Sequence, residues 1–252
     1  MVKGRKTVAG VLLACVLTGC AQLPRETTIA TVPQTVATEP SMFVTEPAAP
    51  ETTAPALTVT TAPTELPVPE ADAFVRVLDY VPNARQDLRY ATSDNFTGQV
   101  IYDFQDAYLR YGTVCKLTEA ARELEELGLG ILIWDAFRPV SAQARMFEAY
   151  PDPAYVSKPG VGRQNHCRGL AIDLTLYDLE SGEPLAMPTG FDDFSSLADR
   201  DYSDISGEAA ANAKLLEELL ERHGFRGYRG EWWHFNDTDE YPIEEAFDPA
   251  NT

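Results

Sequence analysis

Two short segments of the chain gather side chains that bind metals or move protons. The first contains His166, Arg168, Gly169 and Asp173, with Asp173 inside an apolar run of Leu170, Ala171, Ile172, Leu174 and Leu176. A buried, unpaired carboxylate costs several kcal/mol, so Asp173 needs a cation or strong donors. Arg168 is one candidate partner. A metal ion shared with His166 is the other, provided Gly169 lets the chain turn back. The second segment is Gly230, Glu231, Trp232, Trp233, His234 and Phe235. Alone, a Glu three residues before a His reads most readily as a Trp-rich core strand with a satisfied imidazole. Its functional alternative is a metal-bound His234 with Glu231 beside it. Aromatic neighbours exclude water and raise the proton affinity of that Glu, as a general base near neutral pH requires. Taken together, the segments supply His166, Asp173 and His234 as three ligands and Glu231 as a carboxylate free of the metal. This is the pattern of a catalytic zinc site with one open position.

Elements that position these residues are legible nearby. Thr118 is placed to cap a helix with Ala121, Leu124 and Leu127 on one face, stopped at Gly128. Residues 130–134 read as a buried strand. Ser141 is placed to cap a second helix through Ala149. Ser206 is placed to cap a third, with Leu215, Leu216, Leu219 and Leu220 inward and Gly224 as terminator. Strands are expected at 170–177 and 228–235. Helices and strands alternate, but no Gly-rich phosphate loop follows a strand. The expected class is therefore α+β, a single mixed or antiparallel sheet with flanking helices, rather than a doubly wound parallel sheet.

The chain has 252 residues, 44% hydrophobic, with 39 acidic against 20 basic side chains and a formal charge of −19. Such acidity repels phosphate backbones and argues against nucleic-acid binding and against charge-driven attachment to anionic lipid. The few bases are partly spent at the N-terminus, where Lys3, Arg5 and Lys6 precede an apolar run from Val8 to Leu17. That run is too short to span a bilayer and fits a signal peptide. It ends in Leu17, Thr18, Gly19 and Cys20, which resembles a bacterial lipobox. Residues 1–20 are thus expected to be a lipoprotein signal, with Cys20 lipidated and the protein held outside the cytoplasm on a bacterial cell membrane. Residues 21–70 hold 12 Thr, 9 Pro, no Gly and one aromatic residue, the composition of an extended tether. Residues 71–252 remain for one folded domain.

The folded part resembles the D-alanyl-D-alanine dipeptidases of the VanX type. They belong to the wider group of zinc D,D-peptidases, which includes VanY-type carboxypeptidases and shares its fold with the Hedgehog signalling domain. That group carries S-x-H-x-x-G-x-A-x-D followed by E-x-W-H, matched here by His166, Gly169, Ala171 and Asp173, and by Glu231, Trp233 and His234. The segments Arg89 to Gly98, Trp134 to Pro139 and Gly190 to Asp192 also look like dipeptidase segments. The resemblance implies one zinc per chain on His166, Asp173 and His234, with Glu231 as general base and Arg138 stabilising an oxyanion. It implies that Asp192 binds the ammonium of a small D-amino-acid dipeptide and that Tyr90 and Asp135 stand near substrate. Asp193 would replace Asp192 if the register slips by one.

One departure is Gln164, where the family has Ser. The implied reaction is hydrolysis of D-alanyl-D-alanine in cell-wall peptide metabolism. Two alternatives stay open, a D,D-carboxypeptidase trimming peptidoglycan stems and a non-catalytic wall-binding module. For Arg138 the bland alternative is a structural ion pair with Asp135. His223, at a helix end, reads as structural. No spacing argument pairs Cys115 with Cys167.

Overall fold

A computed structural model describes residues 68–153 and 155–252. The signal, Cys20 and nearly all of the tether lie outside the described residues. No described helix is long and apolar enough to cross a membrane.

Two apolar runs form the centre. Strand β4 (Leu129–Asp135) and strand β5 (Ala171–Asp178) are buried along almost their whole length, as expected of strands covered on both faces. They belong to a five-stranded mixed sheet that also contains β2 (Ala84–Gln86), β6 (Phe225–Tyr228) and β7 (Glu231–Asp237). Its order is β2-β4-β5-β7-β6, with β2 parallel to β4 and every other pair antiparallel. The expected single sheet is accompanied by a second, small one, in which β1 (Phe74–Arg76) pairs antiparallel with β3 (Tyr108–Arg110). The expected strand at 228–235 resolves into two, because the chain reverses at Arg229 and Gly230.

Helix α1 (Tyr111–Glu126) turns Val114, Leu117, Ala121 and Leu124 inward at three- and four-residue spacing. It starts seven residues before Thr118. The amides of Tyr111 and Gly112, which have no partner within the helix, donate to the carbonyls of Ala73 and Ala71. Thr118 lies inside the helix and donates to the Val114 carbonyl. Helix α2 (Val140–Ala149) likewise starts ahead of Ser141, after Pro139, whose carbonyl accepts from the amide of Gln143. Helix α3 (Gly207–Arg222) begins after Ser206 as expected and ends before Gly224, which takes φ +85°. His223, at its end, pairs with Glu123 of α1 at 2.8 Å. Cys115 is exposed and Cys167 buried, and both are free thiols.

Candidate active site

The edge between β4, β5 and β7 carries the chemistry. Asp173 sits on β5 directly opposite His234 of β7. His166 arrives from a short 3-10 turn, Asn165–Arg168, bounded by two left-handed residues, Gln164 at φ 50° and Gly169 at φ 73°. A Cβ on Gly169 would run into the Phe74 ring, so both conformation and space demand glycine. The turn brings His166 back over the start of β5, as the sequence required.

One ligand atom from each of His166, Asp173 and His234 lies within 4.8 Å of the others. His166 Nε2 is 3.4 Å from Asp173 Oδ2 and 3.3 Å from His234 Nδ1, which is 2.8 Å from Asp173 Oδ1. The outer nitrogens fix what faces inward. His166 Nδ1 donates to the Ala136 carbonyl at 2.7 Å. Asn236 Oδ1 accepts from Asn165 at 2.7 Å and is therefore also the acceptor for His234 Nε2 at 3.1 Å. With a proton on each outer nitrogen, two imidazole lone pairs and a carboxylate converge on one point, an arrangement suited to a bound cation. The donor set of two nitrogens and one oxygen suits a divalent metal of the zinc type. Burial works against the charge of Asp173, yet the two imidazoles hold it well below the usual carboxylate range. Arg168, its alternative partner, donates instead to the carbonyls of Arg163 and Tyr241.

Glu231 and His234 both face this point, with Glu231 Oε2 3.9 Å from His234 Nδ1. In a regular strand, residues three apart point to opposite faces. The chain escapes that rule through an irregularity: Gly227 pairs with Phe235, but the next residue, Tyr228, pairs with Glu231. Residues 232–234 have no partner on β6, and Trp232 and Trp233 are both fully buried. Desolvation raises the pKa of Glu231 above the usual glutamate value.

Arg138 lies where β4 gives way to α2. Each guanidinium nitrogen has a partner: Nε donates to Tyr102 at 3.2 Å, Nη1 to Gln143 at 2.9 Å and Nη2 to Asp135 at 2.5 Å. A second hydrogen on each terminal nitrogen is left for the pocket that Arg138 lines. Asp135, expected near substrate, is placed otherwise. It is fully buried beneath Arg138 and also accepts from Tyr102 and from the Ala136 amide. The ion pair and the pocket position of Arg138 thus coexist.

Asp192 and Tyr90 line the same pocket, a cavity of about 390 Å³ that also exposes His166, Asp173, Glu231, His234 and Arg138. Tyr90 donates its hydroxyl to the Asp192 carboxyl at 2.9 Å. Asp192 is left-handed at φ 56°, a strained conformation of the kind found where function dictates geometry. Burial pushes its pKa to about 8, against the pull of the Tyr90 hydrogen bond. Asp193 is exposed and accepts from the Ser195 amide, so the register favours Asp192. Gln164 turns its amide onto the Lys158 carbonyl. Tyr102, Gln143, Asn165 and Asn236 were not singled out from the sequence. The available signals were faint: a polar Gln on the buried face of α2, and an Asn two residues beyond a candidate ligand.

Comparison with known proteins identifies the family of the chain. Residues 70–250 match the family model described as D-ala-D-ala dipeptidase, Peptidase_M15. A protein of Escherichia coli K12 named D-alanyl-D-alanine dipeptidase is 39% identical over 61% of this chain and 79% of its own length. Those of Enterococcus faecalis V583 and Streptomyces coelicolor, with the same name, are 32% and 33% identical. They cover 68% and 69% of this chain and 95% and 96% of their own lengths. The chain therefore belongs to the D-ala-D-ala dipeptidase family of metallopeptidases.

Proposed function

We propose that the chain is a zinc-dependent dipeptidase that hydrolyses D-alanyl-D-alanine to two D-alanines, with one zinc held by His166, Asp173 and His234. The observation that carries this reading is a single cavity shared by the three ligands, a partly buried Glu231, the guanidinium of Arg138 and the carboxyl of Asp192. Zinc in such a site supplies Lewis acidity, polarising a carbonyl and acidifying water near neutral pH. Glu231 takes the proton of the attacking water, its affinity for that proton raised by desolvation, and returns it to the leaving amine. Arg138 offers its remaining donors to the oxyanion, held in place by Asp135, Tyr102 and Gln143, so little reorganisation is needed during reaction. Asp192 receives the substrate's ammonium, and Tyr90 orients that carboxylate.

This assignment sets the test. Acetylating the dipeptide's amine removes the charge and leaves the desolvated Asp192 with the Tyr90 hydroxyl but no opposite charge. The full chain, loaded with zinc, should cleave N-acetyl-D-Ala-D-Ala about 30- to several-thousand-fold less well than D-Ala-D-Ala in kcat/KM. Comparable cleavage of the two would favour a carboxypeptidase acting on peptidoglycan stems.

The basic flank, short apolar run and Cys20 support a second proposal, that the enzyme is a lipid-anchored protein outside the bacterial cytoplasm, held off the membrane by residues 21–70. Its substrate would then be dipeptide released from the wall.

A further inference from the structure

The irregularity in β7 raises a question of mechanics. Glu231 and His234 share the pocket only because residues 232–234 leave the β6 ladder, which leaves their β6-facing edge without strand pairing even though His234 still pairs with Asp173 of β5. One side chain takes over the missing pairing. Arg200, on the segment between the Asp192 loop and α3, inserts its buried side chain along this edge. Its Nη2 donates to the carbonyls of both Trp232 and His234, each at 3.0 Å. Its Nε donates to the Tyr228 carbonyl at 2.9 Å, at the point where the register slips. The guanidinium stacks over the Phe235 ring, 4.4 Å from its centre, and pairs with Glu217 of α3 at 3.2 Å. Gly227 makes room for it, since a Cβ there would fall on the guanidinium.

We infer that Arg200 is a positioning residue of the active site: its guanidinium replaces β6 along the bulge and so sets the angle between Glu231 and His234. One nitrogen bonded to carbonyls two residues apart fixes the path of Trp233 between them, and thereby the direction in which the flanking Glu231 and His234 project. A lysine ammonium does not reproduce this planar fork. Arg200 touches neither substrate nor metal in this role.

The inference rests on the proposed zinc dipeptidase, and its test separates the two. In the full chain, zinc affinity is measured by competition with a chromophoric chelator, alongside Tm and the kcat and KM for D-Ala-D-Ala. Arg200→Gln should weaken zinc about 10- to 100-fold, the range seen when residues supporting metal ligands are lost. It should also lower kcat at least about tenfold while KM stays within about threefold, because the Asp192 end of the pocket is untouched. Gly227→Ala, with Arg200 chemically intact, should shift zinc affinity and kcat in the same direction. Glu217→Gln removes the α3 ion pair but leaves the three carbonyl contacts, and should keep both parameters within about twofold. If Arg200→Gln does not fold, Arg200→Lys and Gly227→Ala carry the comparison. Normal zinc affinity and kcat in a folded Arg200 variant would overturn the inference, as would equal losses in Glu217→Gln. Absence of D-Ala-D-Ala hydrolysis by the wild-type protein would overturn the substrate reading instead and leave the zinc comparison standing.

Discussion

Asp192 costs the substrate-free enzyme stability. Below about pH 4 its carboxyl is protonated in folded and unfolded chains alike. Between that pH and about 8 the unfolded chain releases the proton while the folded chain holds it, so this group's contribution falls as pH rises. Asp192→Asn should therefore gain on wild type in thermal denaturation without substrate. The advantage should be near zero at pH 4, widen toward pH 8 and reach on the order of several degrees. The same variant should lose about 10²-fold or more in kcat/KM for D-Ala-D-Ala. A Tm difference independent of pH would show that burial does not govern this carboxyl. Glu231→Gln belongs to the same scale but fails differently. It should keep its zinc by metal analysis and lose about 10²- to 10⁴-fold in kcat, because the amide accepts no proton. These residues were legible because their types are costly to bury without purpose: Asp173 inside an apolar run, Glu231 among tryptophans. Asp135, five residues before the start of α2, was expected near substrate from the resemblance alone. The fold makes the ion pair with Arg138, which the sequence offered as the alternative, and buries Asp135 beneath the guanidinium.

At the level of elements, the site depends on turns that aim side chains which regular structure would point elsewhere. Gly169 is the sharpest case. Gly169→Ala would strain a left-handed residue and press on the Phe74 ring, at a cost of about 1–3 kcal/mol. Because that turn carries His166, zinc affinity should fall together with Tm. A variant with lower Tm but unchanged zinc affinity would separate the turn from the ligand it bears. The central strands β4 and β5 were visible as apolar runs and α3 as a capped amphipathic pattern, since these signals are local. The start of α1 was not visible, because its first amides are satisfied by the carbonyls of Ala73 and Ala71, about forty residues earlier in the sequence and so outside any local cap motif. The bulge in β7 was equally hidden. Its partner, Arg200, comes from a segment with no regular pattern, and nothing in the order Glu231, Trp232, Trp233, His234 announces that the ladder stops there.

For the whole molecule, the N-terminal segment leads to one expectation about location. If Cys20 carries lipid, the protein expressed in a bacterium should partition with membranes and incorporate labelled fatty acid, and Cys20→Ser should do neither. Equal labelling of both forms would remove the anchor. The two thiols of the folded domain set its response to reductant. Cys115 is exposed and Cys167 is buried, its pKa pushed up to about 11 by desolvation, so the latter stays a thiol at any physiological pH. No covalent bridge contributes to the described fold, and dithiothreitol, used at concentrations too low to strip zinc, should leave Tm unchanged. The described fold is closed by packing and hydrogen bonds rather than by a covalent bridge. The described part should therefore unfold at the same temperature under reducing and oxidising conditions, with Cys115 as the one thiol of the pair that an oxidant reaches.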